Sequence, residues 1–133
     1  MTEEVSMKTE LKPEKDERLN TRLITPELID YIVQKIVREI GPQKIILFGS
    51  RARGDAREDS DLDLLIVQDS ETSNRHLRRR IEGLLWGRGF GVDLIVRTPE
   101  AVALNVADHN PFYTRHILKE GRVLYERPRS TAN

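Results

Sequence analysis

Leu28, Ile29, Ile32, Val33, Ile36, Val37 and Ile40 recur at helical spacing, which predicts an amphipathic helix with one buried face. Its ends are marked as well. Thr25 suits the N-cap, Pro26 the first helical position and Glu27 the first turn, and Gly41-Pro42 stops the run. The period then changes. Lys44 to Phe48 (KIILF) is too short for a helix after that break and reads as a buried strand, and Asp61 to Gln68 (DLDLLIVQ) reads as a second. Asn74 to Arg88 sets Leu77, Ile81, Leu84 and Leu85 on one helical face, and Gly89 to Gly91 turns the chain into a third strand, Val92 to Arg97. Thr98-Pro99-Glu100 repeats the helix-start chemistry and opens a helix through about Val106. Asn110-Pro111 starts another, carrying Phe112, Ile117 and Leu118 as far as Gly121, and Val123 to Tyr125 adds a short last strand. The order predicts an α/β (α+β) domain, a small mixed sheet of three to four strands backed by helices.

The two ends lack such periodicity. Residues 1–22 alternate Glu, Lys, Asp and Arg and are expected to form a charged, flexible lead-in; 127–133 read as a polar tail, leaving 23–126 as the folded domain. Of 133 residues, 22 are Lys or Arg and 22 are Asp or Glu. That balance excludes affinity built on phosphate neutralisation across a whole face, so nucleic acid is not an expected partner. The chain has no Cys, which removes disulfides, thiolate zinc sites and cysteine nucleophiles. No apolar run approaches the ~20 residues of a membrane span, and the acidic start is unlike a signal peptide. A cytoplasmic chain without a membrane partner is the expectation.

The candidate chemistry lies at the strand starts. Asp61 and Asp63 stand two apart on a strand, so both side chains leave by one face, about 7 Å apart along the chain. Leu62, Leu64 and Ile66 leave by the other, toward the core. Two carboxylates at the edge of an apolar sheet repel each other and are penalised by desolvation, a cost that a divalent cation removes. Mg²⁺ favours one or two carboxylates plus substrate phosphate oxygens. Asp93, between Val92 and Leu94 on the next strand, joins the pair if the two strands are neighbours, and three carboxylates suit a two-metal site. Gly49-Ser50 directly follows the first strand; glycine lets backbone approach a phosphate, and a helical turn starting at Ser50 would aim N–H groups at an anion. Arg51 and Arg53 could neutralise phosphate charge as planar forks. The spacing is not that of a P-loop.

Taken singly, these pieces are ordinary: an Asp-x-Asp is more often a solvated strand end, and Gly-Ser a plain turn. Their conjunction changes the reading. Other features are blander. Asp59-Ser60-Asp61-Leu62-Asp63 imitates the start of a calcium loop, but Leu64 and Ser70 replace its Gly and Glu. His76, His109 and His116 are scattered, and Arg75, Arg78, Arg79 and Arg80 flank an apolar stripe as a solvated face.

The stretch GSRARGDAREDSDLDLLIV resembles the signature of the DNA polymerase β-type nucleotidyltransferase superfamily, and more narrowly its minimal nucleotidyltransferase (MNT) group. The resemblance runs from about Leu23 to Glu126 and includes FYTRHILKEGRVLYE. It implies the polymerase β-type nucleotidyltransferase core, with Gly49 and Ser50 on the nucleotide triphosphate. Asp61 and Asp63 become ligands of Mg²⁺, two ions in all, and Asp93 the third ligand and base. Relatives that polymerise or modify antibiotics carry a further acceptor-binding domain, which is not expected here. Standalone members resemble the antitoxin of two-component modules, paired with a HEPN-type toxin. The implied reaction transfers AMP from ATP to a tyrosine of that toxin. Two alternatives are an antitoxin acting by binding alone and nucleotidyl transfer to a small molecule or RNA. A hetero-complex is the expected assembly, with a homodimer beside it.

Overall fold

The computed structural model describes residues 14–69 and 72–128. Helix α1 (Pro26–Ile40) begins as its cap chemistry dictates: Thr25 is extended and its Oγ1 accepts the Leu28 N–H at 3.1 Å. It ends at Gly41, whose φ of 67° is the left-handed conformation that glycine adopts without strain. Then follow β1 (Lys44–Phe48), a single turn α2 (Ser50–Arg53), β2 (Leu62–Val67), α3 (Asn74–Leu84), β3 (Val92–Arg97), α4 (Pro99–Ala107), α5 (Phe112–Lys119) and β4 (Arg122–Glu126). The fold class is that expected, a mixed α/β structure. The sheet order is β3-β2-β1-β4. β1 runs antiparallel to both β2 and β4, while β2 and β3 are parallel, which requires the crossover that α3 supplies.

Two details of the predicted elements differ from expectation. The third helix stops at Leu84, not near Arg88, because the chain turns at Gly87 with φ 100°. α5 winds wider than an α-helix, with Glu120 N–H donating to Arg115 O at 2.9 Å. Apolar spacing does not report such a change of pitch.

The largest correction concerns the lead-in, expected to be solvated. Residues 1–13 and 129–133 lie outside the described residues, but 14–22 form a strap against the domain. Leu19 is wholly buried, and its carbonyl accepts the Gly89 N–H at 3.0 Å. Asp16 accepts the Tyr31 hydroxyl at 2.7 Å and Lys35 Nζ at 2.6 Å, and its own N–H donates to Trp86 O at 2.9 Å. Tyr31 and Lys35 are one helical turn apart on α1, so a single carboxylate can engage both.

Strand alternation gives the sheet two different faces. On one, Ile45, Leu47, Leu62, Leu64, Ile66 and Leu94 pack under Ile32, Val33 and Ile36 of α1 and Leu77 and Ile81 of α3. On the other, Ile46, Phe48, Leu65 and Val67 pack under Tyr113 and Ile117 of α5. That second face also carries Asp63 and Asp93.

Candidate active site

β1 delivers the chain to Gly49, whose φ of 80° and ψ of −160° belong to glycine alone. The sharp turn starts α2 at Ser50, and Ala52 and Arg53 donate back to Gly49 O at 3.0 and 3.1 Å. The first N–H groups of such a turn have no acceptor within the helix and point outward. Gly54, with φ 90°, closes it.

Asp63 lies at the centre of the site. Across the antiparallel ladder it pairs with Phe48, and across the parallel ladder with Asp93. Neighbouring strands are about 4.8 Å apart, so two carboxylates in register on one face stand side by side. Asp61 comes just before β2, where the Leu62 N–H donates to Gly91 O at 2.9 Å. The structure therefore joins Asp61, Asp63 and Asp93 at one end of one face.

Two glycines make room for them. A Cβ on Gly49 would overlap the Asp63 carboxylate, and one on Gly91 would overlap that of Asp61. Gly91 escaped the sequence reading, which saw only a turn. Its GFG context before a strand holds the signal, but close approach is visible only once the strands are paired.

Burial pushes the Asp63 carboxyl up to about 6, and the negative charges of Asp93 and Asp61 push the same way. Arg51 and Arg53 offset part of the rise. Among the described residues no set of three His, Asp or Glu side chains is gathered closely enough to hold a cation unaided. The donor set nevertheless suits Mg²⁺, which takes few protein carboxylates and completes its shell with water and phosphate. A half-buried carboxyl destabilised by like charges is one that a cation would stabilise.

The two arginines were expected as phosphate forks, and the structure engages them elsewhere. Arg51 donates through Nη2 and Nε to Ser60 O at 2.8 and 3.2 Å, and through Nη2 to Arg57 O at 3.3 Å. It thereby ties down the loop leading into Asp61. Arg53 is exposed, its Nε 3.3 Å from Asp55 Oδ2 and its Nη1 3.8 Å from Glu120 Oε1. Beside the carboxylates, Phe48 meets Phe112 edge-on at 5.3 Å between ring centres, and Phe112 meets Tyr113 in the same way at 5.1 Å. Phe48 is the cross-strand neighbour of Asp63, so this apolar cluster borders the carboxylate on its β1 side.

A family model described as "Nucleotidyltransferase domain" matches residues 29–124. The Methanocaldococcus jannaschii protein named "Putative protein adenylyltransferase MJ0604" is 41% identical over 83 residues, covering 62% of this chain and 78% of that relative. A crystal structure described as "a putative nucleotidyltransferase from Sulfolobus solfataricus" shares the fold with a TM-score of 0.53 and 22% identity, over 92% of this chain and 87% of that one. Another, described as "the toxin-antitoxin with AMP-PNP", aligns with a TM-score of 0.47 and 19% identity over 74% of this chain and 73% of its own.

Proposed function

The chain belongs to the nucleotidyltransferase domain family, and from that premise we propose that it moves AMP from ATP onto a hydroxyl of another protein, in its most specific form a tyrosine of a cognate HEPN-type toxin. The observation that carries this reading is the in-register pair Asp63 and Asp93 beside the Gly49-Ser50 turn. The name of the M. jannaschii relative supports a protein as acceptor, and the sequence resemblance supports the toxin.

The turn at Gly49 would offer backbone N–H groups and the Ser50 hydroxyl to the triphosphate. Asp61, Asp63 and Asp93 would hold Mg²⁺, whose chemistry is to neutralise charge that builds on the phosphoryl oxygens. Asp93, exposed like Asp61 and on the β3 side, takes the proton of the acceptor hydroxyl. The freed oxygen bonds to the α-phosphorus, the bond from that phosphorus to the α–β bridging oxygen breaks, and pyrophosphate departs with its electron pair. The protein's share is positioning and charge stabilisation.

The test is label transfer from ATP labelled at the α-phosphate, with Mg²⁺ and the product of the neighbouring reading frame. Wild type should label the partner and Asp63→Asn should not, with unchanged circular dichroism. Equal labelling by both proteins, or none by either, sinks the reading.

A further inference from the structure

On the β1 side of Asp63, one carboxylate gathers basic side chains from two elements. Glu120, just past the end of α5, has Oε1 3.1 Å from His116 Nδ1 and 3.8 Å from Arg53 Nη1 of α2. Its Oε2 accepts Arg115 Nε at 3.2 Å. Two guanidinium groups and an imidazole against one carboxylate leave an excess of positive charge. The helix that carries them is wound wide, and wide turns of this kind are frequent at functional sites.

The cluster borders the carboxylate site. Arg53 lies in the turn that begins at Gly49-Ser50. Burial, Asp93 and Asp61 raise the Asp63 carboxyl, and the charge of Arg53 is one of the two that offset the rise, so its guanidinium is within electrostatic reach. His116 stands beside Phe112, with ring centres 6.2 Å apart, and Phe112 meets Phe48, the cross-strand neighbour of Asp63. An ionised carboxylate only accepts hydrogen bonds, so Glu120 fixes a proton on Nδ1 of His116 and leaves Nε2 free. Among the described residues Nε2 has no partner, and the side chain is 42% exposed. Asp93, by contrast, stands on the β3 side. A phosphate chain is therefore attracted to one flank of Asp63 and repelled from the other.

We propose that the β- and γ-phosphates of the nucleotide are received between α2 and α5, by Arg53 and the protonated imidazole of His116, with Glu120 positioning both. The proposal rests on the adenylyl-transfer reading and adds to it how the leaving pyrophosphate is held. His116 takes a proton from solvent, and its Nε2–H donates to a phosphate oxygen while Glu120 stabilises the cation so formed. Arg53 exchanges Asp55, an exposed partner at 3.3 Å, for the phosphate. Neither side chain makes or breaks a bond to phosphorus.

The experiment is proton NMR of the untagged full chain with Mg²⁺ present. The chain has three histidines, His76, His109 and His116, and His116→Gln assigns the imidazole resonance that matters. At about pH 7, ATP and inorganic tripolyphosphate should both move it downfield, the direction of protonation, and AMP should leave it in place. His76 and His109 should stay fixed throughout. In calorimetric titrations His116→Gln should weaken ATP about tenfold and AMP by less than about twofold. Glu120→Ala should weaken ATP similarly, and circular dichroism reports whether each variant is folded. A His116 resonance that ignores ATP while ATP binds overturns the inference and leaves the transferase reading intact. So does a loss of ATP and AMP affinity in equal proportion. Tighter ATP binding by Glu120→Ala also overturns it, because Glu120 then competes with the phosphates instead of placing their partners. Failure of the wild type to bind ATP removes the transferase reading; a His116 response to tripolyphosphate in that case still supports a polyphosphate site here, and its absence overturns the inference as well.

Discussion

The two faces of the sheet are built from the same strands to different ends. Under α1 and α3 every inward side chain from β2 is apolar, and Leu62, Leu64 and Ile66 are all inaccessible to solvent. Under α5 the alternation is broken: Leu65 and Val67 are buried, but Asp63, one alternation earlier on the same face, is a carboxylate. Helices α4 and α5 cover the apolar half of that face, and the acidic half is left at its end. One face spends its whole area on stability. The other gives up part of it to hold charge at the border of a dry region, where electrostatic interactions are stronger than in water.

Substitutions on each face should separate these roles. The largest expected effect is on the acidic end: Asp93→Asn should lower transfer by about 10³-fold in the α-label assay while the melting temperature changes little. Next is Gly49→Ala. Its Cβ meets the Asp63 carboxylate and its φ of 80° is disfavoured for alanine, so activity should fall and stability should drop by more than about 1 kcal/mol in urea unfolding. On the fully apolar face, Leu64→Ala should destabilise by about 2–5 kcal/mol, with ATP affinity unchanged at temperatures where the variant is folded. The smallest effect is a gain. In the metal-free protein Asp63 titrates at about 6, above its ordinary value of 3.8, so the folded state holds this proton more tightly than the unfolded state does. Stability attributable to this group is therefore lost as pH rises from about 4 through 6. Asp63→Asn should melt higher than wild type at pH 8, and the advantage should fade toward pH 4. A constant difference across that range would remove the electrostatic account of this end of the sheet.

Much of this arrangement is legible along the chain because it is written in periodic or local signals. Thr25-Pro26 and Thr98-Pro99 cap their helices as read, and β3 spans the residues its alternation marks. The meeting of Asp63 with Asp93 was conditional on two strands being neighbours, which no single strand's pattern declares; the parallel register supplies it. What the chain hides is aperiodic. Leu19 is one buried residue in a charged stretch, and Asp16 looks like any other surface acid until Tyr31 and Lys35 fold against it. Arg51 also holds the loop before Asp61 through backbone carbonyls, which every residue possesses and no motif records. Gly91 matters for an absent Cβ, and that shows only when the Asp61 carboxylate lies over it.

The central position of β1 has a consequence for the order of synthesis. KIILF pairs on one edge with β2, the next strand to be made, but on the other edge with β4, the last. At the usual pace of translation, roughly 3 to 12 s separate the end of β2 from the end of β4. Throughout that interval the nascent chain presents an open, strongly apolar strand edge, the kind of surface that recruits chaperones or pairs with a neighbour. Truncations within Arg122–Glu126 should therefore show themselves first as aggregation during expression, before any defect in catalysis could be measured.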